Sequence, residues 1–164
     1  MNRTIFAIRG LLRIFLGWIF LWAFVDKFWG LGFSTIKANA WINGGSPTLG
    51  FLKYSTKGPL ASLFQSLAGN GVVDWIFMLG LLGIGLCLML GVAIRFSSWS
   101  AIVMLSLMYL SALWPATNPI VDEHIIYILV LIYLSIAEPG EFIGIGKWWK
   151  TTALARRFPL FNNS

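Results

Sequence analysis

The segment 18-WIFLWAFVDKFWGLGF-33 decides the fold. It is apolar enough to lie in lipid, yet Asp26 and Lys27 stand side by side near its end. The uncharged run between Arg13 and Asp26 covers only about 18 Å of helix at about 1.5 Å per residue, whereas the hydrocarbon core of a bilayer is roughly 30 Å thick. Because a charge inside that core is costly unless it is paired or hydrated, a spanning helix here needs partners for both side chains.

The composition is that of a membrane protein. Of the 164 residues, 58% are hydrophobic and 11% are charged, whereas soluble domains average about 25% charged residues. The chain has one Cys and one His, so an internal disulfide, intramolecular thiol–disulfide catalysis and a bis-His haem or zinc site do not fit within one chain. We therefore expect no metal and no covalently bound cofactor. The net charge of +6 favours contact with lipid headgroups, not with nucleic acid.

Four apolar segments predict an all-α integral membrane protein: a four-transmembrane-helix bundle that forms a single domain over residues 1–164. Asn118 and Pro119 are expected to start the fourth helix, as N-cap and first helical residue. The Arg-rich N-terminus is interpreted as an uncleaved signal anchor and not as a signal peptide. The predicted helices cover residues 8–33, 72–94, 98–114 and 119–138, a long extracytoplasmic loop follows the first helix, and residues 147–164 form a basic interfacial tail.

The loop between the first two helices is long for a tight bundle, and such loops often carry function. Ser34 is expected to cap a short helix that ends near Trp41. Residues 44–48 are a turn cluster, and an amphipathic stretch begins at Pro59. We expect the loop to fold over the outer mouth of the bundle, either as a lid or as an ordinary interfacial cover.

Basic residues set the expected orientation. Eight cations fall on the side that holds both termini, and four fall on the other side. The positive-inside rule then places both termini in the cytoplasm of a multi-pass protein of the cell membrane. The helix ends on the opposite, extracytoplasmic side carry most of the acids of the chain together with its one His.

These ionisable residues are predicted to meet across the bundle, Lys27 pairing with Asp122 or Glu123 and Asp26 pairing with His124. Carboxylates and an imidazole beside an aromatic wall suit hydrogen bonding to a quinone head group and proton transfer. Two ordinary interpretations stay open, because acids favour helix starts and tryptophans form interfacial belts. The predicted catalytic residues are Asp26, Lys27, Asp122, Glu123 and His124, and the predicted quinone pocket is Trp22, Trp29, Phe33, Asp74 and Tyr127.

Four segments resemble the DoxX/DoxD family of small four-helix membrane proteins over about residues 9–158. They are DKFWGLGF (26–33), AWINGGSPTLGFL (40–52), VVDWIFMLGLLGIGL (72–86) and NPIVDEHIIYILVLI (118–132), followed by a basic tail with paired tryptophans. The resemblance implies the membrane subunit of a thiosulfate:quinone oxidoreductase, which converts thiosulfate to tetrathionate and reduces membrane quinone. It also implies a DoxA-like partner subunit, and no DoxA-like segment occurs in this chain.

Three functions follow as hypotheses. The first is a subunit of a quinone-linked sulfur-compound oxidoreductase, with quinone as substrate. The second is a non-catalytic scaffold or assembly subunit of a respiratory or redox-defence membrane complex. The third is a small transporter or sensor, and the charge-free middles of the helices argue against it. The expected partners are the lipid bilayer, quinone and a DoxA-like or other membrane subunit, and a homo-oligomer is left open.

Overall fold

The computed structural model describes residues 3–115, 118–137 and 143–157, without the side chain of Leu154. The chain is helical over most of these ranges, and the loop after the first helix contains only short turns of helix. The helices are α1 (Arg3–Trp29), α2 (Ala61–Gln65), α3 (Gly71–Leu90), α4 (Ile94–Ser111), α5 (Glu123–Ala137), α6 (Gly146–Thr151) and α7 (Ala153–Arg157), with single 3₁₀ turns at Lys37–Asn39 and Trp41–Asn43 and a π-helical turn at Phe51–Ser55.

Three helices, α1, α3 and α4, are long and apolar enough to cross a membrane. The fourth apolar helix, α5, has 15 residues. The predicted all-α membrane bundle is therefore confirmed. Its core lies between these four helices and consists of apolar side chains from all of them, among them Leu16, Phe20, Met78, Leu81, Leu105, Leu131 and Leu134.

The helices pack in an up-and-down arrangement. A Cβ atom added to Gly17 of α1 would lie 2.8 Å from the backbone nitrogen of Met89, and one added to Gly85 of α3 would lie 2.7 Å from that of Leu21. Residues late in α3 thus face the middle of α1, so the two helices are antiparallel and approach closely through glycine. The short connection between α3 and α4 makes that pair antiparallel too, and α4 packs along α5.

The helix ends differ from the predicted bounds, most clearly at the end of α1. The helix stops at Trp29, and Gly30 follows with φ +67°. Phe33, predicted on the helix, lies beyond it and folds back, with its ring centroid 5.1 Å from that of Trp22. The chain turns here because the Asp26 carboxylate accepts backbone N–H groups from the turn that follows.

The start of α5 corrects a second prediction. Asn118 does not cap this helix, because its side chain accepts hydrogen bonds from the backbone nitrogens of Ile120 and Val121 in the preceding turn. The helix begins at Glu123, and Asp122 accepts N–H groups from its first turn. Both Asn and Asp side chains can cap the free N–H groups of a helix start, and in this structure Asp122 caps α5.

The predicted tail folds back against the bundle as far as it is described. The backbone nitrogen of Ile145 donates to the carbonyl of Leu90 at 2.9 Å, and Ala155 is fully buried. Residues 158–164 of the predicted tail lie outside the described residues. We call the end of the bundle that holds the tail, the start of α1 and the α3–α4 connection the arginine end, and the opposite end the acidic end.

Candidate functional site at the acidic end

The antiparallel packing brings three aspartates to one end of the bundle. Asp26 lies near the end of α1, Asp74 in the first turn of α3, and Asp122 just before α5. The loop of residues 30–70 and the end of α4 complete this acidic end. Each aspartate contacts a different part of the chain, and those contacts decide what chemistry is left.

Asp26 is almost completely buried, with 1% of its surface exposed. Its carboxylate accepts the backbone N–H groups of Phe33 at 3.2 Å and Ser34 at 2.9 Å, and the Ser34 hydroxyl at 2.6 Å. Several hydrogen bonds to one carboxylate compensate the loss of its hydration. The predicted pair between Asp26 and His124 is therefore wrong, because Asp26 holds the turn after its own helix.

Lys27 does not form an ion pair with the partners proposed for it. Its ammonium nitrogen lies 3.5 Å from the Ser34 hydroxyl, and in the described part of the chain it forms no ion pair. The predicted pairing with Asp122 or Glu123 is thus wrong. Lys27 and Asp26 share Ser34 as a neighbour, because the same hydroxyl donates to Asp26 at 2.6 Å, and the charge of Lys27 is half-buried at this end.

Asp74 fastens the middle of the loop to α3. It is 6% exposed, and its Oδ1 accepts the Ser46 hydroxyl at 2.9 Å, the Thr48 hydroxyl at 2.6 Å and the Thr48 backbone nitrogen at 3.1 Å. Ser46 and Thr48 belong to the turn cluster of the sequence, so a carboxylate at the start of a helix closes that turn over the bundle.

The rest of the loop also packs on the bundle, as expected for a cover over this end. The Lys57 backbone nitrogen donates to the carbonyl of Ser111 at the end of α4, at 3.0 Å. Trp41 lies between two helices, with its ring centroid 6.0 Å from that of Phe28 and 4.6 Å from that of Trp75. The loop is thereby fixed to α1, α3 and α4.

His124 and Asp122 form the one ion pair of the described residues. Nδ1 of the imidazole lies 2.8 Å from Oδ2 of Asp122, and the two side chains are 17% and 10% exposed. Oδ1 of Asp122 accepts the backbone nitrogens of His124 at 3.0 Å and Ile125 at 3.3 Å. One carboxylate therefore caps α5 and orients the imidazole, which leaves Nε2 for other chemistry.

Glu123 beside this pair is exposed. The ligand atoms of Asp122, Glu123 and His124 all lie within 4.8 Å of one another, a spacing that suits a cation. The hydrogen bond between Asp122 and His124 explains why these two groups lie close together without a bound cation. The expectation that no metal is bound stays a prediction.

The aromatic residues of the predicted pocket are only partly brought together. Trp22 contacts Phe33 and lies 5.6 Å from Trp18, centroid to centroid. Trp29 and Phe33 are 50% and 75% exposed, whereas Tyr127 packs against the core. Exposed tryptophans at a helix end are typical of the membrane interface, and the quinone pocket stays a prediction.

Sequence reasoning missed the residues that donate hydrogen bonds to Asp26 and Asp74. Ser34, Ser46 and Thr48 have no distinctive spacing, and their partners are fixed only when the loop folds back. One signal was present. A carboxylate near the end of an apolar helix, such as Asp26 or Asp74, requires N–H or O–H donors, and the loop is rich in such donors.

A family model described as "TQO small subunit DoxD" matches residues 9–144 of the chain. No curated protein and no solved structure matches it. The matched segment includes α1 from residue 9 onward, the loop with its aspartate contacts, α3, α4 and α5.

Proposed function

Because the chain belongs to the DoxD family, we propose that it is the membrane subunit of a thiosulfate:quinone oxidoreductase. In that reaction two thiosulfate anions join through a new S–S bond to give tetrathionate and release two electrons. A membrane quinone takes up both electrons with two protons and becomes a quinol. The electrons pass between the substrates directly or through a DoxA-like partner subunit, and the task that falls to this chain is to bind, orient and supply protons.

The pair of His124 and Asp122 is the observation that carries this proposal. The hydrogen bond between Nδ1 and Asp122 fixes the orientation of the ring and leaves Nε2 facing away from the carboxylate. Nε2 can then donate a proton to a quinone oxygen and take one back from water. Histidine suits this task because its ordinary pKa lies close to neutral pH, and the mostly buried position of the pair limits competition from solvent.

Lysines supply positive charge for the anionic substrate at the same end. Lys27 forms no ion pair in the described part of the chain, and Lys37, Lys53 and Lys57 are exposed on the loop. Positive groups around an entrance raise the local concentration of a small anion. We assign thiosulfate attraction to Lys27 first, because it is half-buried at the end of α1 while the loop lysines are solvated.

Asp26 and Asp74 take a different role in this proposal. Asp26 accepts hydrogen bonds from the loop on both carboxylate oxygens, and Asp74 accepts three on Oδ1, so we assign both residues to positioning the cover. Glu123, which is exposed, is a second proton acceptor beside His124. The excess of cations at the arginine end supports an orientation with both termini in the cytoplasm, so that quinol formation faces the extracytoplasmic side.

The test is thiosulfate-dependent reduction of decylubiquinone by the purified protein, reconstituted in liposomes with a DoxA-like partner. We expect His124→Gln to lower the turnover by roughly 100-fold, the usual size of a general acid–base contribution. Lys27→Gln is expected to raise the KM for thiosulfate more than it lowers kcat. Lys147→Gln, which removes an exposed cation at the arginine end, serves as the matched control and is expected to leave both constants unchanged.

Two results would contradict the proposal. One is an inactive wild-type protein in the presence of the partner, with folding confirmed by its thermal unfolding. The other is full activity of His124→Gln, which would remove the imidazole from the reaction.

A scaffold function is the second candidate, and it is favoured by the use of Asp26 and Asp74 as loop anchors. In that case Asp26→Asn lowers the yield of a complex recovered in mild detergent, while the turnover per assembled complex stays at the wild-type value. Stoichiometric recovery of partner subunits, together with wild-type turnover for His124→Gln, would favour the scaffold over the catalytic subunit.

A further inference from the structure

An open groove of about 290 Å³ lies between α4 and α5 at the arginine end, far from the site proposed above. Its lining comes from one turn of each helix: Arg95, Trp99, Ile132, Ser135 and Ile136. The pairing of residues 95 and 99 with residues 136 and 132 follows from the antiparallel packing of the two helices. No residue of the groove belongs to the predicted catalytic or quinone-binding set.

The walls of the groove are apolar and open to the side of the bundle. Trp99 is 52% exposed and Ile136 is 77% exposed. The Ser135 hydroxyl donates to the carbonyl of Ile132 in its own helix at 2.7 Å, so its proton is already used. Since α4 is long and apolar enough to cross a membrane, a lipid chain is the occupant that this exposed apolar side of the bundle suits.

Arg95 supplies a charge at one end of these apolar walls. It is exposed, it is the second residue of α4, and it forms no hydrogen bond or ion pair within the described ranges. Two other arginines of this end are engaged: Arg13 donates to carbonyls of α3, and the guanidinium of Arg9 donates to Tyr133. A planar guanidinium matches phosphate oxygens in a two-pronged geometry, and a tryptophan one turn further on is typical of the headgroup level.

We propose that this groove is a binding site for one anionic phospholipid, with its phosphate on Arg95 and the upper part of one acyl chain along Ile132 and Ile136. Basic pockets between membrane helices bind anionic headgroups in this way. The volume is at the lower limit for small-molecule sites, which run from roughly 300 to 1,000 Å³, and therefore fits a segment of chain. A quinone head group is a poorer match, because it is uncharged and the Ser135 proton is not free for it.

The experiment is native mass spectrometry of the full-length protein released from nanodiscs that contain phosphatidylglycerol and phosphatidylcholine in equal amounts. The wild-type protein is expected to retain one phosphatidylglycerol in preference to phosphatidylcholine. Arg95→Gln is expected to lower that retention by about five-fold, the effect of one cation near an anionic surface. Ile136→Trp, which fills the groove and leaves the charge unchanged, is expected to lower it as well.

Arg157→Gln is the matched control, because it removes an exposed cation at the same end without touching the groove. It is expected to retain phosphatidylglycerol as the wild type does. Equal losses for Arg95→Gln and Arg157→Gln would overturn the proposal and indicate a general surface charge effect. Unchanged retention by both Arg95→Gln and Ile136→Trp would overturn it too, as would displacement of the lipid by added decylubiquinone at equimolar concentration.

Discussion

The two ends of the bundle use buried charges of opposite sign for the same purpose. At the acidic end, Asp26, Asp74 and Asp122 accept backbone N–H groups from turns and from the start of a helix. At the arginine end, the completely buried Arg13 donates to the carbonyls of Leu88, Met89 and Ile143.

Helix ends and turns leave N–H groups at one place and carbonyls at another, and a bilayer offers no water to bind them. Each end therefore carries side chains that its free backbone groups can bind. Carboxylates lie where N–H groups are free, and a guanidinium lies where carbonyls are free. The buried ionisable residues at both ends therefore serve first of all to hydrogen-bond the free backbone groups of turns and helix ends. What remains for function is the smaller set that this task leaves over, namely His124, Lys27 and Arg95.

The largest effect that this comparison predicts belongs to Arg13. Arg13→Leu removes the guanidinium that donates to three carbonyls, among them that of Met89 at 3.0 Å from Nη1. The three carbonyls then lie buried without a donor. Charged hydrogen bonds contribute about 1.5–3 kcal/mol each, so we expect the variant to lose about 3 kcal/mol or more of the free energy of unfolding, measured by denaturant titration in micelles. Arg13→Lys should recover part of it, because an ammonium cannot reach all three acceptors.

Arg157→Leu is the control for Arg13→Leu, because Arg157 is exposed in the last described helix. Its stability should remain within about 0.5 kcal/mol of the wild type, as for most surface substitutions. If the two arginine variants lose the same amount, the guanidinium of Arg13 is not a support, and the symmetry between the two ends fails.

A middle-sized effect is predicted at the acidic end, where Asp26 and Asp74 hold different parts of one loop. Each change to Ala leaves backbone N–H and hydroxyl donors of the loop without their acceptor, which costs about 1–3 kcal/mol. Trypsin reports the place of the damage. Asp74→Ala should speed cleavage after the exposed Lys53, and Asp26→Ala should speed cleavage after the exposed Lys37.

Peptide mapping by mass spectrometry distinguishes the two sites of cleavage. Thr4→Ala in the first turn of α1, at the opposite end of the bundle, should leave both rates unchanged. Should each aspartate variant accelerate both cleavages equally, the loop unfolds as one unit, and the two carboxylates do not have separate roles.

The smallest effect concerns the start of α5. Asp122→Ala removes a helix cap and should cost about 1 kcal/mol. Asn118→Ala removes only the exposed bonds to the turn before it and should cost less than that. Thermal unfolding of the two variants in the same detergent shows which one loses more stability. A larger loss for Asn118→Ala would mean that Asn118 caps the helix, as the sequence predicted.

Much of the fold was available from the sequence. Runs such as Val72 to Ile94, uncharged apart from Asp74, predict membrane helices because hydrophobic burial and length are properties of consecutive residues. The clustering of acids at one end and arginines at the other follows from the same runs, since alternating helices bring every second loop to the same side. The helix bounds were less accurate: α1 stops at Trp29 because of a carboxylate contact that spans seven residues.

The partners of the charged side chains could not be predicted, and the physical reason is distance along the chain. Asp74 meets Thr48 across 26 residues, and Arg13 meets Met89 across 76. The sequence predicted that charged residues near the helix ends, Asp26 and Lys27 above all, would be drawn into the membrane and would need compensation. Only the tertiary structure decided that backbone groups and loop hydroxyls provide it, because folding brings many donors and acceptors within reach and shape selects among them.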